Sequence, residues 1–352
     1  TEIIDDLNNL PSPYITQVLN IDERGFLRFE TQRGCVRKCS YCNYSKNFNK
    51  IRFYNDARIL SEIKFALENN GAEIFFLDPD FLIRPELTKL LTQISALNFA
   101  KQLEFHTELD ALRIDNKIAK LLGAINLKSA EIGLQTIHNK TLHFLNRSRK
   151  LDRQKFIENI KLLKENGVDT IIDIILGLPG ETAADIRKTF DFIIKNNLQK
   201  DIQVFNLAVL PNTMLRANAQ IYGLQYLTQP PYYCINNSNL DADELSKLFN
   251  EAEELFDTEF DAVELPSFVL KNKNTQNIDN NELEYFNKLI IDCSVENKNY
   301  YNRFFNYMDK CANNVCLWFR DFQKLRLLDL LIDFINKLTT INPNTVFEYI
   351  IE

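Results

Sequence analysis

Between residues 26 and 210 the chain changes period repeatedly, from short runs of β-branched and aromatic residues to amphipathic stretches with apolar positions three and four apart. The short runs are FLRFETQ (26–32), EIFFLD (73–78), QLEFHTE, SAEIGLQ, DTIIDIILG and DIQVFNLAVL. Between them lie ARILSEIKFALENNG (57–71), PELTKLLTQISALN, NKIAKLLGAIN, RQKFIENIKLLKENG and AADIRKTFDFIIKNN. Ile59, Leu60, Ile63 and Leu67 fall near helical spacing in the first of these stretches, and Gly71 reads as its C-cap. Strands joined through helices run parallel, so the expectation is an α/β fold, a partial (β/α)6 TIM-type barrel over residues 26–238 after a lead-in segment at 1–25. An apolar content of 45% with 26 Phe supplies core enough for it.

In such barrels the chemistry sits where strands run out at their C-terminal ends. Here each of the first five runs ends in residues suited to that: the cysteine loop, then Asp78 and Asp80, then Glu108 and Asp110, then Gln135, then the loop GLPGET. The cysteine loop is TQRGCVRKCSYCNYSK (31–46), in which Cys35, Cys39 and Cys42 stand among Arg33, Arg37, Lys38 and Lys46. A disulfide would leave one thiol over and would have to close very short loops. Structural zinc, the weaker alternative, usually takes four ligands in two pairs, while His106, His138 and His143 all lie far along the chain. Three thiolates can instead hold three irons of a [4Fe-4S] cube and leave the fourth open to a substrate or cofactor; neighbouring cations favour the thiolate form.

A net charge of −7 gives no general footprint for nucleic acid, which is disfavoured as a substrate. The best apolar run, TIIDIILGLPG, is broken by Asp173 and ends in Gly and Pro, so no membrane span is expected. Seven cysteines without a secretory signal suit a reducing compartment, and the expected location is cytoplasmic.

Cys35-x3-Cys39-x2-Cys42, with Tyr41 before the last cysteine, resembles the radical S-adenosylmethionine superfamily, and the likeness extends over about residues 26–235. EIGLQTIHNKTLHFLNRS, IDIILGLPGET and FNLAVLPNTML resemble the segments after strands four, five and six in the subgroup of oxygen-independent coproporphyrinogen oxidase, methylthiotransferases and cobalamin-dependent radical enzymes. The resemblance implies a [4Fe-4S] cluster on Cys35, Cys39 and Cys42, with S-adenosylmethionine on the open iron as the source of a 5′-deoxyadenosyl radical. It further implies that the Tyr41 backbone meets adenine, that Asp78 accepts from the methionine ammonium, that Arg147 pairs with the methionine carboxylate, and that Asp173 reaches the ribose hydroxyls. Glu108 and Gln135 match further polar positions around the cofactor, and a rim salt bridge or strand-end cap is the alternative for each of these polar residues.

The opening LPSPYITQVL and the late LAVLPNTMLRANAQIYGLQYLTQPPYYC resemble the junction and post-barrel segments of cobalamin-dependent radical enzymes and of relatives that act on ribosomally made peptides. Because the sequence opens at that junction, the expectation is a chain without the cobalamin domain, similar to the polytheonamide-type peptide epimerases. Implied partners are a precursor peptide and a reducing protein such as flavodoxin or ferredoxin. Epimerisation needs a second hydrogen donor, and Cys234 in QPPYYCINN is the candidate, with a small buried hydrophobe as the competing reading. The alternative function is a cobalamin-linked radical methyltransferase or another radical enzyme acting on a small molecule. Residues 239–352 read as a helical C-terminal domain for substrate or partner, from DADELSKLFNEAEELFD, NNELEYFNKLIIDC and RDFQKLRLLDLLIDFINKL. Cys293, Cys311 and Cys316 with Cys234 read as single cysteines rather than an auxiliary cluster, and Tyr300, Tyr301, Phe304, Phe305 and Tyr307 as core packing.

Overall fold

The computed structural model describes residues 4–44, 50–147, 150–228, 230–258, 260, 267–269, 286–293, 305, 311–320, 322, 328–342 and 345–351. The chain divides into two compact units, Thr1–Phe260 and Asp261–Glu352.

In the first unit the six strand-like runs become β1 (Phe26–Phe29), β2 (Glu73–Phe76), β3 (Glu104–Glu108), β4 (Leu127–Gln135), β5 (Asp169–Leu176) and β6 (Ile202–Asn206). They form one sheet in chain order, parallel at every pairing. The helices α1 (Asp56–Glu68), α2 (Leu87–Leu97), α3 (Asn116–Ala124), α4 (Asn139–Phe144), α5 (Arg153–Glu165) and α6 (Ala183–Lys195) lie between the strands in sequence. This is the expected partial (β/α)6 barrel. The helix starts are chemically fixed: Asn55, Asp115 and Asp152 accept from the backbone N–H of Arg58, Ile118 and Lys155 at 2.8–3.0 Å. Thr182 and Asp185 form a reciprocal capping box on α6.

Strand alternation gives the sheet two unlike faces. Ile74 and Phe76, Phe105 and Thr107, Ala130, Ile132 and Leu134, and Thr170, Ile172, Ile174 and Leu176 are buried and share a core with the helix residues Ile59, Leu90, Ala119 and Ile160. Phe76 anchors it, with Phe81 stacked at 4.8 Å, Phe105 at 5.4 Å and Phe29 edge-on at 5.3 Å. The opposite face carries His106, Glu131, Gly133 and Asp173, all half-buried. An interior this polar is poor as a core and suited to a ligand.

The second unit corrects the expectation of a helical domain from residue 239. Helix α7 (Ala242–Phe256) belongs to the first unit, where Phe256 packs edge-on against Phe190 of α6 at 5.5 Å, so the boundary lies at 260 and not at 238. Among the described residues of the second unit, Ser267–Val269, Phe286–Asp292, Cys311–Arg320 and Val346–Ile351 form a four-stranded parallel sheet, with one helix at Leu328–Ile341. In NKLIID the buried Leu289 and Ile291 alternate at period two, and in so short an apolar run period alone does not separate strand from helix. Of the aromatic series only Phe305 is described, 5.5 Å from Phe334; Tyr300, Tyr301, Phe304 and Tyr307 lie outside the described residues, as do the side chain of Cys311 and Lys46. No described helix is long and apolar enough to cross a membrane.

Gly25 sets the start of β1 against β2. Its φ is +77°, its carbonyl accepts from Ala72 N and Glu73 N, and a Cβ there would come within 2.8 Å of Ala72 N and Asn70 O. Gly25→Ala is expected to cost about 2–4 kcal/mol, from left-handed strain plus backbone overlap, seen as a lower urea midpoint at unchanged slope.

Candidate active site

The cysteine loop leaves β1 and is fastened on all sides before it reaches α1. Gln32–Arg33 pairs antiparallel with Arg52–Phe53 across the loop's base. Asp78, just past β2 and fully buried, accepts from Thr31 N at 2.9 Å, Thr31 Oγ1 at 2.5 Å and Gln32 N at 3.0 Å. Burial pushes the Asp78 carboxyl up to about 6, against the pull of those donors. Further along, Ser40 donates from its N–H to Leu145 O at 2.8 Å and accepts from Leu215 N at 2.9 Å, while Asn146 Nδ2 donates to Lys38 O at 3.0 Å. Arg37 pairs with Asp110, and Arg113 Nε reaches Asp80 Oδ2 at 3.1 Å and Asp110 Oδ2 at 3.6 Å. Two cations and two carboxylates thus lock the loop onto the ends of β2 and β3.

Cys35, Cys39 and Cys42 face one cavity with about 750 Å³ of empty space, part of it continuous with solvent, walled by the C-terminal ends of β2 to β5. Arg37 N and Tyr44 N each stand 3.4 Å from the sulfur of Cys35 and Cys42, in position to stabilise thiolates. Burial nevertheless pushes the Cys35 thiol up, opposed by the Arg37 N–H and reinforced by Asp80 and the other two cysteines.

Opposite the thiols stand Glu108, Glu131, Gln135, Arg147 and Asp173. Glu108 and Glu131 are cross-strand partners, as are Gly133 and Asp173, which puts three carboxyls on neighbouring strands of the inner face. Burial followed by repulsion from Glu131 and Asp78 pushes Glu108 up to about 7. Burial followed by Glu131 and Glu108 pushes Asp173 up to about 7 against the pull of Arg147. Asp173 Oδ1 and Gln135 Oε1 are buried atoms with no hydrogen-bond partner among the described residues. Gln135 adopts φ +64° at a register shift in β4. Arg147 donates to Tyr41 Oη at 3.0 Å and to the Gly133 carbonyl. Gly133 leaves room for both: a Cβ there would stand 2.3 Å from Gln135 Nε2 and 3.3 Å from Arg147 Nη2.

The donor set separates a cluster from a single ion. A zinc site needs its thiolates to converge about 2.3 Å from one point, whereas a cube takes each thiolate on a different iron. Among the described residues no three His, Cys, Asp or Glu side chains are grouped to hold one metal ion, yet all three cysteines face the same cavity. Unspent acceptors beside them fit a polar cofactor. The residues present therefore suit an iron–sulfur cube with a hydroxyl- and ammonium-bearing ligand next to it.

Of the residues singled out from sequence, Cys35, Cys39, Tyr41, Cys42, Glu108, Gln135, Arg147 and Asp173 come together here. Two do not. Asp78 is consumed by Thr31 and Gln32 and lies off the cavity wall, because its two acceptor oxygens are what hold the loop's root. Cys234 is buried, donates to Asn236 O at 3.3 Å and packs against Gly177, away from the cavity lining; burial pushes its thiol up to about 12. His106 also lies off the cavity, its Nδ1 2.7 Å from Ser129 Oγ. Sequence reasoning missed Glu131, although alternation in SAEIGLQ carried the signal: Ala130, Ile132 and Leu134 face the core, so Glu131 and Gly133 face inward.

A parallel strand-end cavity with a cysteine triplet and unspent polar acceptors defines an iron–sulfur barrel enzyme. Residues 29–193 match the Radical SAM superfamily, and the chain carries a domain of that superfamily. The chain is 29% identical over 252 residues to the "Cobalamin-dependent radical SAM methyltransferase TokK" of Streptomyces tokunonensis, covering 64% of this chain and 35% of the relative. It is 26% identical over 258 residues to the 2-(S-pantetheinyl)-carbapenam-3-carboxylate methyltransferase of Streptantibioticus cattleyicolor, covering 66% and 36%. It thus spans about a third of the length of these curated relatives. The fold is shared with the radical S-adenosylmethionine methyltransferase TsrM from Kitasatospora setae, at TM-score 0.56 and 17% identity over 66% of this chain and 52% of that one. It is shared too with the cobalamin-dependent S-adenosylmethionine radical enzyme OxsB, at TM-score 0.52 and 13% identity over 64% and 41%.

Asp78→Ala strands two buried backbone donors and is expected to lower stability by about 3 kcal/mol, with a larger loss of iron uptake than Asp78→Asn. The raised pKa values of Glu108 and Asp173 mean that the folded, cluster-free chain binds protons the unfolded chain has released. Their contribution is full below the ordinary carboxylate range and disappears as pH rises through about 7. Denaturant midpoints of the metal-free protein should therefore fall between pH 5 and about 8, and Glu108→Gln with Asp173→Asn should flatten that slope.

Proposed function

We propose that this chain carries the catalytic barrel of a radical S-adenosylmethionine enzyme acting on an unactivated C–H bond of a small molecule, by cobalamin-linked methyl transfer of the kind named for its relative TokK, in which a methylated cobalamin would supply the methyl group. The supporting observation is one cavity lined by the Cys35, Cys39 and Cys42 thiols together with carboxylate and amide oxygens of Asp173 and Gln135 that have no hydrogen-bond partner among the described residues.

Cys35, Cys39 and Cys42 hold the [4Fe-4S] cluster, and Arg37 N and Tyr44 N donate to two of the sulfurs. When bound, the cluster and S-adenosylmethionine supply a one-electron cleavage that yields a radical able to take hydrogen from carbon. Arg147 holds the methionine carboxylate, and its bond to Tyr41 keeps the guanidinium in place. Asp173 and Gln135 accept from ribose hydroxyls. Glu108, on the cavity wall, takes the ammonium in place of Asp78 and is drawn to its charged form by that cation.

Methyl transfer is favoured over peptide epimerisation on two grounds. The relatives reported above are methyltransferases, and Cys234, the donor that epimerisation would require, is buried outside the cavity with its thiol already donating to Asn236 O.

The test is anaerobic reconstitution with iron and sulfide, then assay of 5′-deoxyadenosine under a chemical reductant. Cys35→Ala should lose both the cluster absorbance and the nucleoside. Asp173→Asn should keep its iron and bind S-adenosylmethionine about tenfold more weakly, a loss of about 1.4 kcal/mol. Transfer of label from methyl-labelled S-adenosylmethionine into a small-molecule product would support the finer reading; solvent deuterium at Cα of a peptide would replace it with epimerisation.

A further inference from the structure

Strand register lays one row of side chains across the inner face of the sheet. Glu108 pairs with Glu131, and Glu131 pairs with Ile171. On the other side, Phe76 pairs with Thr107, and the next residues are Leu77 and Glu108. Leu77 N donates to Phe29 O at 3.1 Å, so the backbone is still strand-like there and alternation turns Leu77 inward, opposite to the buried Phe76. Leu77, Glu108, Glu131 and Ile171 thus stand side by side, with two acids at the centre and an aliphatic residue at each end. Leu77 is 42% exposed and Ile171 half-buried, and neither belongs to the core on the helix side.

The proposed function gives Glu108 to the cofactor's ammonium, Asp173 and Gln135 to the ribose, and Arg147 to the methionine carboxylate. Glu131 is left without an assignment although it lines the same cavity. The inward positions of β4 run Glu131, Gly133 and Gln135, which puts Glu131 two such positions deeper than the groups assigned to the cofactor at that strand's end. Burial pushes the Glu131 carboxyl up, and no described cation or donor offsets that cost. The two arginines on the cavity wall are spent elsewhere, Arg37 on Asp110 and Arg147 on Tyr41 and the Gly133 carbonyl. A desolvated acid beside exposed aliphatic groups suits a ligand that carries both a cation and a hydrocarbon.

We infer that this row is the substrate subsite, where Glu131 holds a protonated primary amine of the substrate and Leu77 and Ile171 take the alkyl groups beside it. The substrate class is then a small alkyl amine, and a carboxylate or phosphate at the same position would meet like charge. The inference rests on the proposed function, because it is the bound cofactor that occupies Glu108 and leaves Glu131 to the substrate.

The experiment is calorimetric binding to the reconstituted chain with its cluster oxidised and S-adenosylmethionine present, so that nothing turns over. The probes are pentylammonium, pentanol, pentanoate and methylammonium. Pentylammonium should bind at least tenfold more tightly than each of the other three, since pentanol and pentanoate lack the cation and methylammonium lacks the hydrocarbon. Glu131→Gln should weaken pentylammonium about tenfold and leave the affinity for S-adenosylmethionine within twofold of the parent. Equal binding of pentanol or pentanoate, equal binding of methylammonium, or pentylammonium binding that ignores Glu131→Gln would each overturn the inference. A matching loss of S-adenosylmethionine affinity in Glu131→Gln would overturn it too, by making Glu131 a cofactor ligand. If that variant takes up no iron, the four probes on the parent chain decide. Failure of the proposed function is separate: the parent would bind no S-adenosylmethionine and form no 5′-deoxyadenosine under a chemical reductant.

Discussion

Three carboxyls, Glu108, Glu131 and Asp173, sit side by side on the inner face of a parallel sheet, without an ion pair among the described residues, and line the same cavity as three thiols. Burial first, and repulsion among neighbouring carboxyls second, pushes Glu108 and Asp173 up to about 7, with Arg147 pulling the other way at Asp173. The arrangement is held by the other face of the same strands, where Phe76, Phe105, Ile132 and Ile174 are wholly or almost wholly buried against the helices. Period two makes both faces from one set of strands, so the core that stabilises the sheet also fixes the spacing of the acids.

The cysteine loop depends on a second layer of fixed charges. Asp78 holds its root, Arg37, Asp110, Arg113 and Asp80 hold its middle, and Ser40 ties its end to two distant loops. None of these contacts needs a metal. They would help to place the described part of the loop whatever it binds.

Sequence and structure part ways in instructive places. Asp78 was legible as a strand-end carboxylate but not as a structural anchor, because the spacing of residues does not reveal which donors its oxygens meet. Cys234 sits in a loop that sequence places near the barrel mouth; in the fold it turns inward against Gly177, since a thiol is small and apolar enough to be packed. Glu131 was passed over although the alternation of its strand pointed inward. In the second unit, buried Leu289 and Ile291 belong to a run too short for its period to separate strand from helix.

What the sequence by itself determined is local: the order of strands and helices through β6 and the triplet Cys35, Cys39 and Cys42, which depend on neighbours within a few positions, whereas α1 closes at Asn69 and not at the expected Gly71. What only the tertiary structure decided is which strand-end groups share a cavity and which are already engaged. Arg147 meets Tyr41 across 106 positions, and Asp78 meets Thr31 across 47. Contacts at such separations are set by strand register and loop closure, and no local pattern of residues encodes them.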